Sequence, residues 1–466
     1  MHIPSYPMTR ILRRTLILLV AAACTLQAKE AKVRHAEAVA EVQPVTPPSS
    51  NAVLPALPVK LTLQAAENYA LLHQPTLAAS QLRATAETER VYEARSAFFP
   101  QIQAESVLVK ANDDSSRLAA LPGGITNPTI LSRQSDGGVA SQLITDFGRT
   151  YFLTTSARSG ALSAADRTEE VREQVLFRVD QAYFAVQGAQ ALLEVANQTV
   201  STNQVLLERV KAMAGANLKS SLDVNFQQVN LSEAILLQLQ TQARLQEAFS
   251  ELSASLGLGG EYNFTLVPAA LEPVPGDSAG PLIAQAWAQR PDLLAARAER
   301  DEALRFAKAE FAAHFPVITA QGGAGINPGT INKDLPKDYS AAGFNVSVPV
   351  FTGGLLTARA REAELRAQAT GKDLESRETE AARDVYNAWV EARTTYRGIA
   401  VSQQLLQSAQ EAFQLAQSRY QVGASSIVEL SQADLQAIQA QITAATAQFD
   451  YQVRRRALDL QMGALK

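Results

Sequence analysis

Phe99-Pro100-Gln101-Ile102 and Phe315-Pro316-Val317-Ile318 are two copies of one corner, and their spacing decides the fold. Pro100 and Pro316 are 216 residues apart, as are Pro75 and Pro291 in Pro75-Thr76-Leu77 and Pro291-Asp292-Leu293. Two pairs on one offset mark an internal duplication. The match continues outward with small slips. Ala182-Tyr183-Phe184-Ala185 answers Val385-Tyr386-Asn387-Ala388, Gly215-Ala216 answers Gly423-Ala424, and Val224–Leu231 answers Val428–Leu435. The period is far longer than a solenoid repeat, so one domain is written twice, in residues 61–260 and 281–463, across a Gly/Pro-rich linker at 261–280.

Both copies read in the same order. A helix opens each, Leu63–Ala97 in the first and Pro281–Ala313 in the second, the latter with a break near Pro291. The Phe-Pro corner leads into an extended stretch, then a loop rich in Gly, Pro, Asp and Asn, then a second extended stretch ending at Phe147-Gly148 or Phe351-Thr352-Gly353-Gly354. Strands are expected at 102–110, 138–147, 316–326 and 340–350. From Ala342 to Val350 the even positions Ala342, Phe344, Val346, Val348 and Val350 are apolar and the odd ones small or polar. That period of two fits a transmembrane barrel strand with one face to lipid. Ile318, Ala320, Gly322, Ala324 and Ile326 make a smaller-sided version, and the first copy alternates less cleanly. Phe98, Phe99, Phe147, Phe315 and Phe351 stand at the strand ends nearest the helices, where an interfacial aromatic girdle belongs. A soluble β-hairpin on a helical protein is the competing reading. Four strands cannot close a barrel, single-chain barrels begin at about eight, and lipid tolerates no open sheet edge. A membrane-spanning form is therefore an obligate homo-oligomer.

The remainder of each copy is a long helical hairpin. Val385, Ala392, Ile399, Leu406, Phe413 and Tyr420 recur every seven residues, with Ala388, Ala409 and Ala416 in a companion position. Val179, Val186, Leu193, Val200 and Leu207, beside Ala182, Ala189 and Ala196, do the same in the first copy. Small side chains on a heptad imply close coiled-coil packing. A helix from Arg149 to Ala214 would be roughly 100 Å long at 1.5 Å per residue. Return helices double back from Leu222 and Ile427. Such lengths pack side by side into a rod or tube.

Composition closes off other classes. With 47% hydrophobic residues, 19% charged residues and a net charge of -4, no basic patch points to nucleic acid. His2, His35, His73 and His314 have no ligand spacing, and the single Cys excludes an intrachain disulfide framework, so no metal or cofactor site is expected. Carboxylates such as Asp146 and Glu310 have no His or Lys constellation around them, and no enzyme is expected. Arg10, Arg13 and Arg14 precede the apolar run Thr15–Leu26, which is too short to span a bilayer. Residues 1–28 read as a secretory signal peptide and 29–60 as a Pro-rich linker. Cys24 is either a lipidation site or a leftover of the apolar run, with cleavage after Leu26-Gln27-Ala28.

The duplicated order of helix, Phe-Pro strand, loop, strand and helical hairpin resembles the TolC-like outer membrane factors. Besides the corner Phe99–Ile102, the resemblance rests on Thr145-Asp146-Phe147-Gly148, Val350–Gly354 and Tyr420–Leu430. It implies a mainly α fold with a small β part. Duplicated helical hairpins would form an α-barrel, and four strands per protomer would contribute to a homotrimeric 12-stranded β-barrel. It also implies a place in the outer membrane with a long periplasmic portion. The role would be a passive exit duct for efflux or type I secretion, docked to a periplasmic adaptor (membrane fusion) protein and an inner-membrane pump. By the resemblance, Phe99, Pro100, Gly148, Phe315, Pro316 and Gly353 are strand-helix corners. Gly215, Ala216, Val422, Gly423, Ala424 and Ser425 form the adaptor-docking tip. Tyr420 and Asp223 would be a link that holds the coils shut, and Glu429 would line the constriction. Ser425 replaces a typical arginine and Gln432 a second acidic residue. The same residues have plainer readings: Tyr420 continues the heptad, Ser426 and Glu429 make a capping box, and Gly215 and Gly423 cap helices. A periplasmic coiled-coil scaffold without a pore is the alternative function.

Overall fold

Proline sets the first boundary in both copies. The residue before a proline is pushed out of the helical region by the pyrrolidine ring, and Gln74 (φ -75°, ψ 115°) and Arg290 (φ -64°, ψ 120°) are both extended. The single helix expected over Leu63–Ala97 is therefore two helices, broken before Pro75 just as the second copy is broken before Pro291. Gln74 is used twice. Its side-chain amide donates to the carbonyls of Ala254 and Ser255, at 3.3 and 3.0 Å, and satisfies a helix end that would otherwise lack partners.

The computed structural model describes residues 60–109, 119–120, 126–127, 133–260, 262, 264–326 and 338–465. The expected signal segment with Cys24, and the linker to residue 59, lie outside them. In chain order the elements are β1 (Lys60–Leu61), α1 (Leu63–His73), α2 (Pro75–Ser96), β2 (Gln101–Val109), β3 (Ala119–Ala120), β4 (Thr126–Asn127) and β5 (Arg133–Thr145). Next come α3 (Arg149–Gly215), α4 (Ser221–Ser255), β6 (Thr265–Leu266), α5 (Gly280–Gln289) and α6 (Pro291–Ala312). The chain ends with β7 (Val317–Ile326), β8 (Asp338–Ser347), α7 (Leu355–Gln421) and α8 (Ile427–Met462). Residues 97–146 and 316–348 form a strand unit; residues 58–96, 147–315 and 349–466 form a helical unit.

In the strand unit β2, β5, β7 and β8 make one antiparallel sheet in that order, so β2 and β8 are its edges. Residues directly opposite in an antiparallel ladder share a face. One face carries Ile102, Ala104, Ala140, Ile318, Ala320, Ala342, Phe344 and Val346; the other carries Gln101, Gln103, Ser141, Thr319, Gln321 and Asn345. The alternation is clean in β7 and β8, whereas β5 breaks it, with Gln142 and Asp136 on the first face and Val139 and Leu143 on the second. The register slips once, between Leu143 and Thr145. β5 stops at Thr145 because Phe147 (φ 55°) and Gly148 (φ 96°) turn the chain. β8 stops at Ser347, ahead of Pro349, which has no N–H for a ladder, so Val348 and Val350 fall outside the strand pattern assigned to them.

In the helical unit α3 and α7 are each 67 residues long, about 100 Å at 1.5 Å per residue. α3 packs against α1, α2, α4, α6 and α8, and α7 against α5, α6 and α8. The heptad positions face inward: Val179, Val186, Ala196, Val385 and Ala392 are fully buried. The segment joining the copies is tied to both. β1 pairs in parallel with β6. The Tyr183 hydroxyl lies 3.0 Å from the Leu61 carbonyl and 2.5 Å from that of Val267, while Gln187 donates to Val267 at 3.1 Å. On the other side Tyr451 donates to the Pro273 carbonyl at 2.8 Å and Gln452 to that of Ala270 at 2.8 Å. Beside them the Arg456 guanidinium faces Asp180 (3.1 Å), Glu67 (3.0 Å) and Glu272 (3.4 Å). Burial pushes the Asp180 carboxyl upward against the pull of Arg456.

Two tests follow from this packing. Gly463 ends α8 at φ 67°, and a Cβ there would stand 2.7 Å from the Cα of Arg290; Gly423, at φ 77°, has open space around it. Gly423→Ala should cost only the left-handed penalty of about 1 kcal/mol, and Gly463→Ala should lower the thermal midpoint clearly further. Equal shifts would show that the Arg290 backbone gives way freely. Glu173, 6% exposed, has its carboxyl raised by burial from 4.5 to about 7, with Arg172 pulling the other way. A raised folded-state value means its contribution is complete below 4.5 and fades as pH climbs through about 7. Glu173→Gln should therefore flatten the fall in thermal midpoint across that window, and an unchanged slope would remove Glu173 as its source.

Candidate functional site at the hairpin turns

The two turns between long and return helices are built alike. In the second, Gly423 is left-handed, and its N–H donates to Tyr420 O (3.1 Å) while that of Ala424 donates to Arg419 O (2.8 Å). In the first, the left-handed residue is Asn217 (φ 61°), with Asn217 N–H to Ala214 O (3.0 Å) and Leu218 N–H to Met213 O (2.9 Å). This is the helix-ending motif that consumes two orphan carbonyls. Gly215 thus closes α3 without a left-handed conformation, and its reading as the cap passes to Asn217. Asn can fill that place because its short polar side chain tolerates the left-handed region. The structural counterpart of Gly423 is Asn217, which moves the pairing of Gly215-Ala216 with Gly423-Ala424 by two residues.

The return helices start from matched caps. Ser220 accepts from the Asp223 N–H (3.2 Å), and Asp223 accepts from the Ser220 N–H (3.0 Å) and hydroxyl (3.2 Å), a complete capping box. Ser426 accepts from the Glu429 N–H at 3.2 Å. The Glu429 carboxylate turns instead to Arg419, 3.4 Å away, whose guanidinium also donates to Ala424 O at 3.3 Å. Ser425 donates to Ala416 O at 3.4 Å. Arg419 and Ser425 hold the second turn closed upon its own helix.

Tyr420 lies in a small core with Val210, Ala416, Ile427 and Leu430, drawn from α3, α7 and α8. Burial first, and the nearby Asp223 carboxylate second, push its hydroxyl up to about 12. That hydroxyl makes no hydrogen bond among the described residues, so Tyr420 and Asp223 are neighbours that are not hydrogen-bonded. The Lys219 ammonium stands 3.9 Å from the centre of the Tyr420 ring. Above the turns runs a polar ladder: Gln227 donates to Asn203 Oδ1 at 2.7 Å within the first copy, and Asn230 crosses to the second, donating to the Ser431 hydroxyl at 2.9 Å. Neither Lys219 nor this ladder was singled out from sequence. The ladder had a signal, since Asn203 continues the series Ala182, Ala189, Ala196 and puts an amide where the heptad asks for an apolar side chain. The turns also expose apolar side chains, with Leu218 at 72% and Val422 at 79%.

At the opposite ends of the long helices stand the corners. Gly148 and Gly354 are the left-handed N-caps of α3 and α7, with Gly353 also left-handed. In the helical unit the rings of Phe147 and Phe315 stack at 5.8 Å, and Phe311 meets Phe315 edge-on. These rings line an apolar groove with Phe152 and Leu304. In the strand unit Phe99 is exposed and Pro100 leads into β2. Among the described residues no cluster of His, Cys, Asp or Glu could hold a metal ion, and no helix is long and apolar enough to cross a membrane.

The family model described as outer membrane efflux protein matches residues 68–258 and 282–464. The outer membrane protein TolC of Vibrio cholerae is 25% identical over 400 residues, covering 82% of this chain and 86% of that protein. The solvent efflux pump outer membrane protein SrpC of Pseudomonas putida is 27% identical over 284 residues, 58% of this chain and 59% of that one. Among solved structures, the outer membrane protein VceC of Vibrio cholerae shares the fold with a TM-score of 0.75 at 18% identity, over 86% of this chain and 96% of that one. These matches support an outer-membrane channel over a scaffold confined to the periplasm. The protein is an outer-membrane channel component with a long helical periplasmic part, and the chain belongs to the outer membrane efflux protein family.

Proposed function

We propose that the protein works as a homotrimer in which residues 61–260 and 281–463 act as two repeats of one unit, joined through 261–280. Three copies pool their strands into one closed barrel and their long helices into one periplasmic tube, giving a passive exit duct for an efflux or secretion system. The observation that carries this reading is the sheet, whose β7 and β8 have an apolar and a polar face and whose two edges, β2 and β8, have no partners among the described residues of their own protomer. Lipid leaves such edges one solution, pairing with further copies. The driving energy comes from an inner-membrane pump, so the channel itself needs no cofactor.

The turns are the place where a periplasmic adaptor would dock. Gly215 and Ala216 in the first, and Val422, Gly423, Ala424 and Ser425 in the second, offer little side-chain bulk, and exposed Leu218 and Val422 supply apolar surface. Asp223, Tyr420 and Glu429 lie at the same end and are assigned to the constriction. Glu429 is half-exposed and already shares its charge with Arg419, which makes it a weak cation site.

Planar-bilayer recording of the detergent-purified mature protein, with its mass from light scattering, tests the reading. Three chains per particle and discrete conductance steps are expected; a non-conducting monomer or dimer would exclude the barrel. In the same recordings Glu429→Gln should lessen block by divalent cations applied from the periplasmic side. Unchanged block would take Glu429 out of the constriction.

A further inference from the structure

One cation reaches from the first hairpin to the second. Lys219, in the turn between α3 and α4, holds its ammonium 3.9 Å from the centroid of the Tyr420 ring, on the last turn of α7. Tyr420 is 3% exposed and fixed by Val210, Ala416, Ile427 and Leu430, so the ring cannot swing to follow the lysine. Its hydroxyl has no hydrogen-bond partner among the described residues. The Asp223 carboxylate, close enough to act on the Tyr420 hydroxyl, is occupied by the Ser220 N–H and hydroxyl at 3.0 and 3.2 Å. Arg419, in the last turn of α7, is spent within its own hairpin, on Glu429 and on the Ala424 carbonyl. Ser425, likewise, reaches only Ala416.

Resting on the reading of the turns as the constriction, we propose that Lys219 is the cation of a lock that ties the two hairpins together through the face of the Tyr420 ring, with the phenol hydroxyl taking no part. The ring quadrupole attracts a cation over its face, more strongly as water is excluded. Tyr420 presents that face from a packed core, and Lys219 carries its charge on a stem long enough to cross between the turns. Separating the hairpins requires the ammonium to leave the ring for water. A lock of this chemistry has a signature that a hydroxyl-based link lacks: it needs an aromatic ring and a cation, and no phenol oxygen.

Hydrogen exchange on the purified full chain at the amides of residues 216–224 and 420–429 reads the lock, and bilayer conductance of the same proteins reads the gate. Lys219→Met and Tyr420→Leu should each speed exchange there roughly fivefold, about 1 kcal/mol, the size of a half-exposed cation–π contact. The double variant should go little further than either single one. Lys219→Arg should rescue protection, and Tyr420→Phe should keep it. Faster exchange with Tyr420→Phe to the extent seen with Tyr420→Leu would overturn the lock in favour of a hydroxyl link, as would parental exchange in Lys219→Met. If exchange follows the expected series and the open fraction of the channel rises with it, lock and constriction stand together. If exchange follows it while conductance stays unchanged, the tie between hairpins stands and the constriction lies elsewhere in the pore.

Discussion

The structure depends on a requirement that no single copy of the chain meets: a β-sheet in hydrocarbon must have no free edge. Each unpaired N–H or C=O left in lipid costs several kcal/mol, and an edge strand presents a row of them. β2 and β8 are such edges, nine and ten residues long. β8 is exposed at every residue in the isolated protomer, including Phe344 and Val346 on the apolar face. Neither β2 nor β8 carries a proline or a lysine, the usual devices that keep soluble edges apart. The sheet is shaped for pairing with another copy, and association is a condition of membrane insertion.

The helical unit meets a related problem with different means. A pair of 67-residue helices offers a long contact surface and little depth, so no side chain lies far from water. Alanines at Ala182, Ala196, Ala392, Ala409 and Ala416 bring helix axes close and trade large buried side chains for backbone proximity. A seam of small residues says little about register by itself. Register is supplied by polar contacts that have only one satisfied arrangement: Gln227 on Asn203, Asn230 on Ser431, and Tyr183 and Tyr451 on the carbonyls of the joining segment. Removing one partner from a buried pair of this kind leaves the other unsatisfied, which is costlier than the bond is stabilising. The specificity of the long hairpins therefore lives in a few amides and hydroxyls, and their stability in many alanines and leucines.

What could be read from the sequence follows from the range of each interaction. The duplication, the Phe-Pro corners, the four strands and the two long hairpins were legible because they are repeated patterns of local propensity, at Phe99 and Phe315, or at Val385 and its heptad successors. The break before Pro75 was legible in principle by the rule applied at Pro291, and the apolar flow of Leu63–Leu82 hid it. The left-handed cap at Asn217 was assigned to Gly215 because glycine is the commoner occupant and stands two residues away. Side-chain pairings between turns were beyond reach. Lys219 and Tyr420 are neighbours only because two hairpins of unlike turn sequence end at one level, and neither residue's surroundings in the chain carries that information. The joining segment was readable as a linker, whereas its attachment through Tyr183, Tyr451 and Arg456 depends on three distant elements meeting.

The two turns of one protomer share a backbone and differ in chemistry, and that difference has a consequence for anything that binds them. Asn217 and Gly423 fill the same place, as do Ser220 and Ser426, and Asp223 and Glu429, all 206 residues apart. Yet the first turn sends its cation outward across the gap, from Lys219 to Tyr420, while the second folds its cation inward, from Arg419 to Glu429 and Ala424. The second turn is consequently self-contained and presents Val422 at its apex; the first turn is stabilised in part by its neighbour and presents Leu218. Around a ring of copies the two kinds of turn would alternate. A partner seated over a Val422 turn would leave that turn's internal contacts intact. A partner that displaced the Lys219 turn would have to replace the ring contact the lysine gives up. From Met213 to Asp223, set against Arg419 to Glu429, only Ser220 and Ser426 are the same residue, so one backbone motif carries two different sets of contacts.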